Sequence, residues 1–279
     1  MSLLVGKRLI VTGVLTESSL ASEVVRVARA EGAEVLLTSP VCRAHRITSR
    51  IAPRLGVEQP VLELDVTLDE DLIALTVAVQ DAGWDRVDGL VHSLGYLPEG
   101  WDATSFAGTP WALASQVLEV TAWSLAAVVH ALDSLLVKGS AVVGLTQDTS
   151  QVWGAPDWLQ VAHASLAATA RSLARDLGPR GVRVNLVASG PVATLLSRAV
   201  PGHEQLVGEF DCRAPLGWDG SSANATARAA VMLLSDWFPA TTGEIVVVDG
   251  GATAMGVASS AASRRRSGRR AQEPGGALA

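Results

Sequence analysis

Arg8-Leu9-Ile10-Val11-Thr12-Gly13-Val14-Leu15-Thr16-Glu17-Ser18-Ser19-Leu20-Ala21 is the stretch from which the fold is read. A short aliphatic run ends at a glycine, passes through hydroxyl-bearing residues and enters a helical pattern that continues to Glu31. The spacing predicts a strand, a tight turn at Gly13 and a helix capped by Ser18 or Ser19. Unpaired backbone N–H groups and the positive helix end then face whatever lies beyond the strand, which is how such turns hold a phosphate. A full GxGxxG is absent, so the stretch alone also reads as a plain serine-capped helix.

The same rhythm repeats outward from this point. Glu34-Val35-Leu36-Leu37 precedes a helical pattern from Arg43 to Leu55, and Val61-Leu62-Glu63-Leu64 precedes one from Glu70 to Ala82. Val87 to Val91 leads into a helical region from Trp111 to Leu136. Ala141 to Leu145 is followed by a helix from about Asp157 to Leu177, then by Val182 to Val187, a helix from Thr226 to Trp237, and Glu244 to Val248. Strands that alternate with helices of this length form βαβ units, so an α/β fold is predicted: a doubly wound, seven-stranded parallel sheet of Rossmann type. Residues 191–213 break the rhythm with glycine and proline, at the place where a cover over the strand ends would sit. Residues 1–257 read as one domain.

Composition narrows the function classes. Of 279 residues 48% are hydrophobic and 18% charged, which suits one large domain with a sizeable core. Residues 258–279 carry five arginines and one glutamate, a net +4, so the remaining 257 carry −10 of the overall −6. An acidic body does not invite nucleic acid, and the Ala/Ser/Gly/Pro setting of the arginines predicts a solvated, disordered tail. No run approaches the roughly 18 apolar residues of a membrane span, so a cytoplasmic protein without a membrane partner is expected. Cys42 and Cys212 lie far apart, and no histidine or cysteine has ligand spacing, so neither a disulfide framework nor a metal is predicted.

The predicted carboxyl ends of successive strands carry Leu64-Asp65-Val66, His92-Ser93-Leu94-Gly95-Tyr96 and Ser189-Gly190-Pro191-Val192-Ala193-Thr194. Ligands of doubly wound sheets bind in the crevice at these ends. Asp65 can accept from an adenine amine, Gly95 lets backbone approach a ribose, and the Thr194 hydroxyl can bond a phosphate oxygen. Together with Ala214-Pro215-Leu216-Gly217-Trp218, Leu233-Leu234-Ser235-Asp236 and Thr242-Gly243-Glu244-Ile245-Val246-Val247-Val248-Asp249-Gly250-Gly251, these segments resemble the NADH-dependent enoyl-acyl-carrier-protein reductases of the short-chain dehydrogenase/reductase superfamily, above all their mycobacterial branch. The resemblance reaches to about Gly256. It implies a homotetramer, NAD as cofactor, an acyl-carrier-bound 2-enoyl substrate of fatty acid biosynthesis and reduction at C2–C3. By the same resemblance Ser19 and Leu20 map to pyrophosphate contacts, Asp65 and Val66 to adenine contacts, and Gly95 and Thr194 to the ribose and phosphate region; Gly13, Gly190, Pro191 and His163 are expected among the cofactor contacts as well. The cover is shorter than in the long-chain mycobacterial branch, which implies a shorter acyl chain. NADP stays open, because Thr38-Ser39-Pro40 offers no acid for a ribose 2′-hydroxyl while Arg43 and Arg46 can meet a 2′-phosphate.

The resemblance fails at the chemistry. Family members of this kind carry a tyrosine and, six or seven residues on, a lysine around the start of the helix after strand five. Those positions fall here on Pro156 and His163, and a second aromatic falls on Gln147. No register restores the pair, because the one tyrosine is Tyr96 and the two lysines are Lys7 and Lys138. A phenol aimed at the thioester carbonyl stabilises the enolate that hydride delivery creates, and an ammonium holds the nicotinamide ribose. Proline donates nothing; His163 offers one neutral donor, or a charge below about pH 6.5. Three readings follow: an enoyl-thioester reductase homologue in which His163 stands for lysine; a non-redox cyclase, isomerase or dehydratase of specialised metabolism using His163, Gln147, Tyr96 or Asp148; and a catalytically silent nucleotide-binding subunit.

Overall fold

A computed structural model describes residues 2–40, 43–99, 101, 105–153, 157–199 and 202–255. Pro156 and the arginine-rich tail lie outside them. Seven parallel strands form one sheet in the order β3-β2-β1-β4-β5-β6-β7. They are β1 (Arg8–Val11), β2 (Glu34–Ser39), β3 (Leu62–Glu63), β4 (Val87–His92), β5 (Leu136–Thr146), β6 (Arg183–Ser189) and β7 (Ile245–Val248). The helices are α1 (Leu20–Ala30), α2 (Arg43–Ile51), α3 (Asp69–Asp81), α4 (Trp111–Leu118), α5 (Ser124–Ala131), α6 (Trp158–Leu177), α7 (Leu195–Ala199), α8 (His203–Arg213) and α9 (Asn224–Leu234).

Central strands are buried on both faces, which explains their continuous aliphatic character. One core layer gathers Ile10, Leu36, Leu90, Val142 and Leu186 against α3, α5 and α6, and the other gathers Leu9, Val11, Leu37, Val91 and Val143 against α1 and α9. Successive residues of each strand alternate between these layers, as the pleat requires. Arg183, 8% exposed, ties β6 to the end of α9 by donating to the carbonyls of Leu233 and Ser235 at 2.7 and 2.8 Å. A buried cation is tolerated there because the unpaired carbonyls of a helix C-terminus carry partial negative charge.

Three elements depart from the sequence reading. The region from Trp111 is helical only to Ala131 and contains a π-helical turn at Glu119–Trp123, while Leu136 already opens β5. β5 passes through Gly139 at φ +94°, and its register against β4 jumps from Val87↔Leu136 to Gly89↔Ala141. Ser140 bridges the bulge, accepting from Val137 N–H at 2.9 Å and donating to Val87 O at 2.7 Å. β3 keeps only two residues and sits at the sheet edge, where short strands protect against further pairing. The helical stretch Trp111–Ala131 is, by length and composition alone, long and apolar enough to cross a membrane, and half of its most apolar window is buried. Gln116 and Glu119 interrupt its apolar residues, so no uninterrupted run shows in the sequence. Its inward face, with Val117, Leu125, Val128 and Val129, packs into the protein core.

Candidate functional site

The sheet order reverses direction between β1 and β4, whose connections leave toward opposite sides, and a crevice opens at their carboxyl ends. Thr12 holds the two strand ends together: its hydroxyl donates to Val91 O at 3.2 Å and accepts from Ser93 N–H at 3.1 Å. Gly13 then turns at φ +80°, and a Cβ at this position would lie 1.9 Å from Ser93 O. Only glycine lets the two loops approach this closely. Ser19 caps α1, its hydroxyl oxygen accepting from Ser22 N–H at 3.1 Å. The first N–H groups of that helix, at Leu20 and Ala21, have no carbonyl one turn back, and Ser19 and Leu20 line the crevice.

Two cavities meet at Gly13, Leu15, Ser93, Leu94 and Gly95. The smaller, about 440 Å³, is lined by Thr38, Ser39, Pro40, Asp65, Val66 and Tyr96 among others. The larger, about 520 Å³, runs past Ser19 and Leu20 to Gln147, His163, Gly190, Pro191 and Thr194 and beneath α8. All the predicted cofactor contacts, from Gly13 through Thr194, therefore line one continuous crevice. Asp65 is locally fixed, its Oδ1 accepting from Thr67 N–H at 3.0 Å and from the Thr67 hydroxyl at 2.6 Å. Thr194 and Ser197 bond reciprocally at the start of α7, at 2.8 and 3.1 Å. Gly190 is needed for packing, since a Cβ there would meet the Trp218 ring at 2.6 Å.

The three catalytic candidates do not come together. Gln147 and His163 line the larger cavity, whereas Tyr96, 38% exposed, lines the smaller one with Asp65 and Val66. Tyr96 lies where an adenine-side group would sit, because it follows β4 by four residues and the loop carries it away from β5. Asp148 is occupied structurally: it accepts from the Ser150 hydroxyl at 2.9 Å and from Trp153 Nε1 at 2.8 Å. Asp157 caps α6 by accepting from Gln160 N–H at 2.8 Å, and burial raises its pKa against the lowering effect of that bond. Trp153, which sequence reasoning passed over, lines the cavity, while Trp158 stacks on Phe106 at 5.3 Å instead. Only the tertiary docking of α8 on the loop after β5 brings Trp153 there.

His163 is neutral. Burial lowers its pKa to about 4, so an imidazolium forms only well below the pH 6.5 of a free ring. His92, fully buried with its Nε2 2.8 Å from Ser124 Oγ, is pushed to about 4 as well, by burial first and by His163 second. Arg46 is exposed on α2, and neither it nor any other described lysine or arginine is among the residues that line the two cavities. An adenine dinucleotide fits the residues present: two joined compartments of suitable size, a helix N-terminus at their junction and an acid at the distal end. Its phosphates would be met by N–H groups and hydroxyls alone.

A seven-stranded doubly wound sheet with a glycine-turn crevice at its switch point defines a Rossmann-type protein of the short-chain dehydrogenase/reductase class. Within that class, the profile of the family described as Enoyl-(Acyl carrier protein) reductase matches residues 13–253, and the chain belongs to this family. It is similar to the Enoyl-[acyl-carrier-protein] reductase [NADH] of Mycolicibacterium smegmatis, with 38% identity over 90% of this chain and 97% of the relative. The corresponding protein of Mycobacterium avium is 36% identical over 90% of this chain and 97% of its own length. That of Aquifex aeolicus is 31% identical over 92% of this chain and 95% of its own.

Proposed function

We propose that this chain is an NADH-dependent oxidoreductase that reduces the C2–C3 double bond of a 2-enoyl thioester carried on an acyl carrier, with a site that works without the family's tyrosine and lysine. The observation that carries the reading is the continuous crevice, in which Gly13, Ser19, Leu20, Asp65, Val66, Gly95, His163, Gly190, Pro191 and Thr194 all face one space. The relatives named for NADH and an acyl-carrier-bound substrate support the same assignment. In it, the Leu20 and Ala21 amides and the Ser19 hydroxyl hold the pyrophosphate, Asp65 and Val66 receive the adenine, and Gly190, Pro191 and Thr194 bound the nicotinamide end. When bound there, a reduced nicotinamide supplies the hydride.

The chain's own task is then to orient the thioester and to oppose the negative charge that builds on its carbonyl oxygen. Gln147 and His163 both line this end of the cavity and both carry N–H donors. Losing one preorganised donor costs about 2.7 to 4 kcal/mol, or roughly 10²- to 10³-fold in rate, whereas holding reactants in place contributes about 7 to 11 kcal/mol. Turnover slower than that of a tyrosine-bearing reductase is the physical consequence. The assembly is proposed to be a homotetramer, supported by the exposed Trp111 and Trp123 on the α4–α5 face and by Val247, 46% exposed on the edge strand β7.

The test is a titration with NADH and NADPH followed by tryptophan fluorescence, since Trp153 lines the cavity and Trp218 packs on Gly190. Hydride transfer to a short 2-enoyl thioester is then followed at stoichiometric enzyme. Binding of NADH with slow transfer upholds the reading; binding without any transfer reduces the chain to a nucleotide-binding subunit. One observation favours a second reading, non-redox chemistry: no described lysine or tyrosine shares a cavity with Gln147 and His163. Product formed from a conjugated thioester without any dinucleotide would establish it.

A further inference from the structure

Thr146 is the last residue of β5 and is 7% exposed. Its hydroxyl lies 3.1 Å from Nδ1 of His163, which the second turn of α6 brings over the strand end. The other ring nitrogen, Nε2, has no hydrogen-bond partner among the described residues, and the side chain lines the larger cavity. The imidazole is therefore tethered at one nitrogen and open to a ligand at the other.

The single hydroxyl proton of Thr146 has two acceptors in reach. One is His163 Nδ1 at 3.1 Å; the other is the carbonyl of the adjoining Gln147 at 3.4 Å, at the outer limit of a hydrogen bond. Donation to Nδ1 makes the shorter contact, whereas donation to the Gln147 carbonyl would leave the hydroxyl oxygen to accept from an Nδ1–H, the opposite tautomer. A hydroxyl that donates to Nδ1 requires that nitrogen to be bare, and a neutral ring then carries its proton on Nε2.

We infer that Thr146 is a positioning residue that holds His163 as its Nε2–H tautomer, so that the imidazole presents one uncharged donor to a hydroxyl or carbonyl oxygen of the bound ligand. The ring stays neutral because burial keeps its titration near pH 4, and His92 close by is neutral for the same reason. Lysine at this place would offer three donors and a charge; the Thr146–His163 pair offers one donor whose direction is fixed. The tautomer stands on the Thr146 contact alone. What the donor meets rests on the reading that the crevice takes a dinucleotide and a thioester.

The test uses the full chain without ligand, labelled with ¹⁵N-histidine, and reads the two-bond ¹H–¹⁵N correlations of the imidazoles at pH 7, with His163→Gln identifying the signal. The expected pattern is a bare Nδ1 and a protonated Nε2 in the natural protein. Thr146→Val removes the donor and moves the population toward Nδ1–H, while Thr146→Ser restores the original pattern. The dissociation constant for NADH rises about tenfold in the valine variant and returns to within about threefold in the serine variant, as expected for one misdirected hydrogen bond. A natural protein with Nδ1–H, or a valine variant with an unchanged tautomer ratio, overturns the inference. If the valine variant does not fold, the spectra of the natural protein and the serine variant decide. Correct tautomers without any NADH binding uphold the role of Thr146 and remove the cofactor reading instead.

Discussion

His163 and His92 make the protein's stability depend on pH in a direction fixed by their burial. Both titrate near 4 in the folded chain against about 6.5 when unfolded, so the unfolded state binds protons that the folded state refuses. The contribution is fully present above about pH 6.5, falls as the pH drops toward 4, and changes no further below that. Each shift corresponds to about 3 kcal/mol, and the pair, which repel each other when protonated, to several. The urea midpoint is expected to fall steeply between pH 6.5 and 4, and His163→Gln to flatten that slope; equal slopes in the two proteins would show that His163 is not shielded from protons. Gly13→Ala tests the other key residue of the crevice. With φ at +80° and Ser93 O only 1.9 Å from the new Cβ, the substitution should cost more than about 2 kcal/mol, read from urea unfolding, and should abolish nucleotide binding. At this scale the sequence was a mixed guide. Gly13, Asp65 and Thr194 are placed by their distance from strand ends, which a parallel sheet converts directly into a shared crevice. Tyr96 misleads because three residues of loop separate it from β4, and nothing in the spacing says toward which compartment the loop bends.

Among the elements, α8 depends most on long-range contacts. Phe210 packs on Trp153 with ring centroids 4.4 Å apart, and the guanidinium of Arg213 stands 4.8 Å above the same indole while donating to Met255 O at 3.0 Å. Trp153 in turn donates to Asp148 Oδ2 at 2.8 Å. One indole thus joins the cover, the loop after β5 and the residues beyond β7. Trp153→Ala removes a tilted ring–ring contact, a cation–π contact and a hydrogen bond to a carboxylate, together about 2 to 4 kcal/mol. Cleavage by a protease within 202–213 should quicken well before global unfolding does, because a cover held by few contacts opens locally. Cleavage that only tracks global unfolding would mean that α8 is anchored by other contacts. The strand–helix alternation that predicts α1, α6 and α9 to within a few residues says nothing of this docking. It also misses the start of β5, since Leu132 and Leu135 continue the apolar pattern of α5 and Lys138-Gly139-Ser140 resembles a turn, whereas the strand runs through that glycine as a bulge.

The whole molecule opposes its proposed ligand electrostatically. The chain carries −6, and no described lysine or arginine lines either cavity, so a dinucleotide with two negative phosphates approaches against the long-range field and is favoured only within the last few ångströms, by the α1 N-terminus. For charges of −6 and −2 separated by roughly 20 Å, the size of such a domain, the repulsion is about 2.5 kcal/mol in unscreened water. Screening leaves about half of this at 0.01 M salt, where the Debye length is about 30 Å, and about a tenth at 0.15 M, where it is about 8 Å. The association rate of NADH is therefore expected to rise about fivefold between these concentrations, measured by stopped-flow tryptophan fluorescence, with dissociation nearly constant because the helix-end contacts are too short to be screened. Pockets that grip phosphates with lysine or arginine behave in the opposite way, losing affinity as salt is added. A falling association rate here would mean that a cation outside the described lining, such as the Arg43 side chain or the tail arginines, reaches the phosphates, and the crevice would then be completed by a segment that the sheet itself does not position.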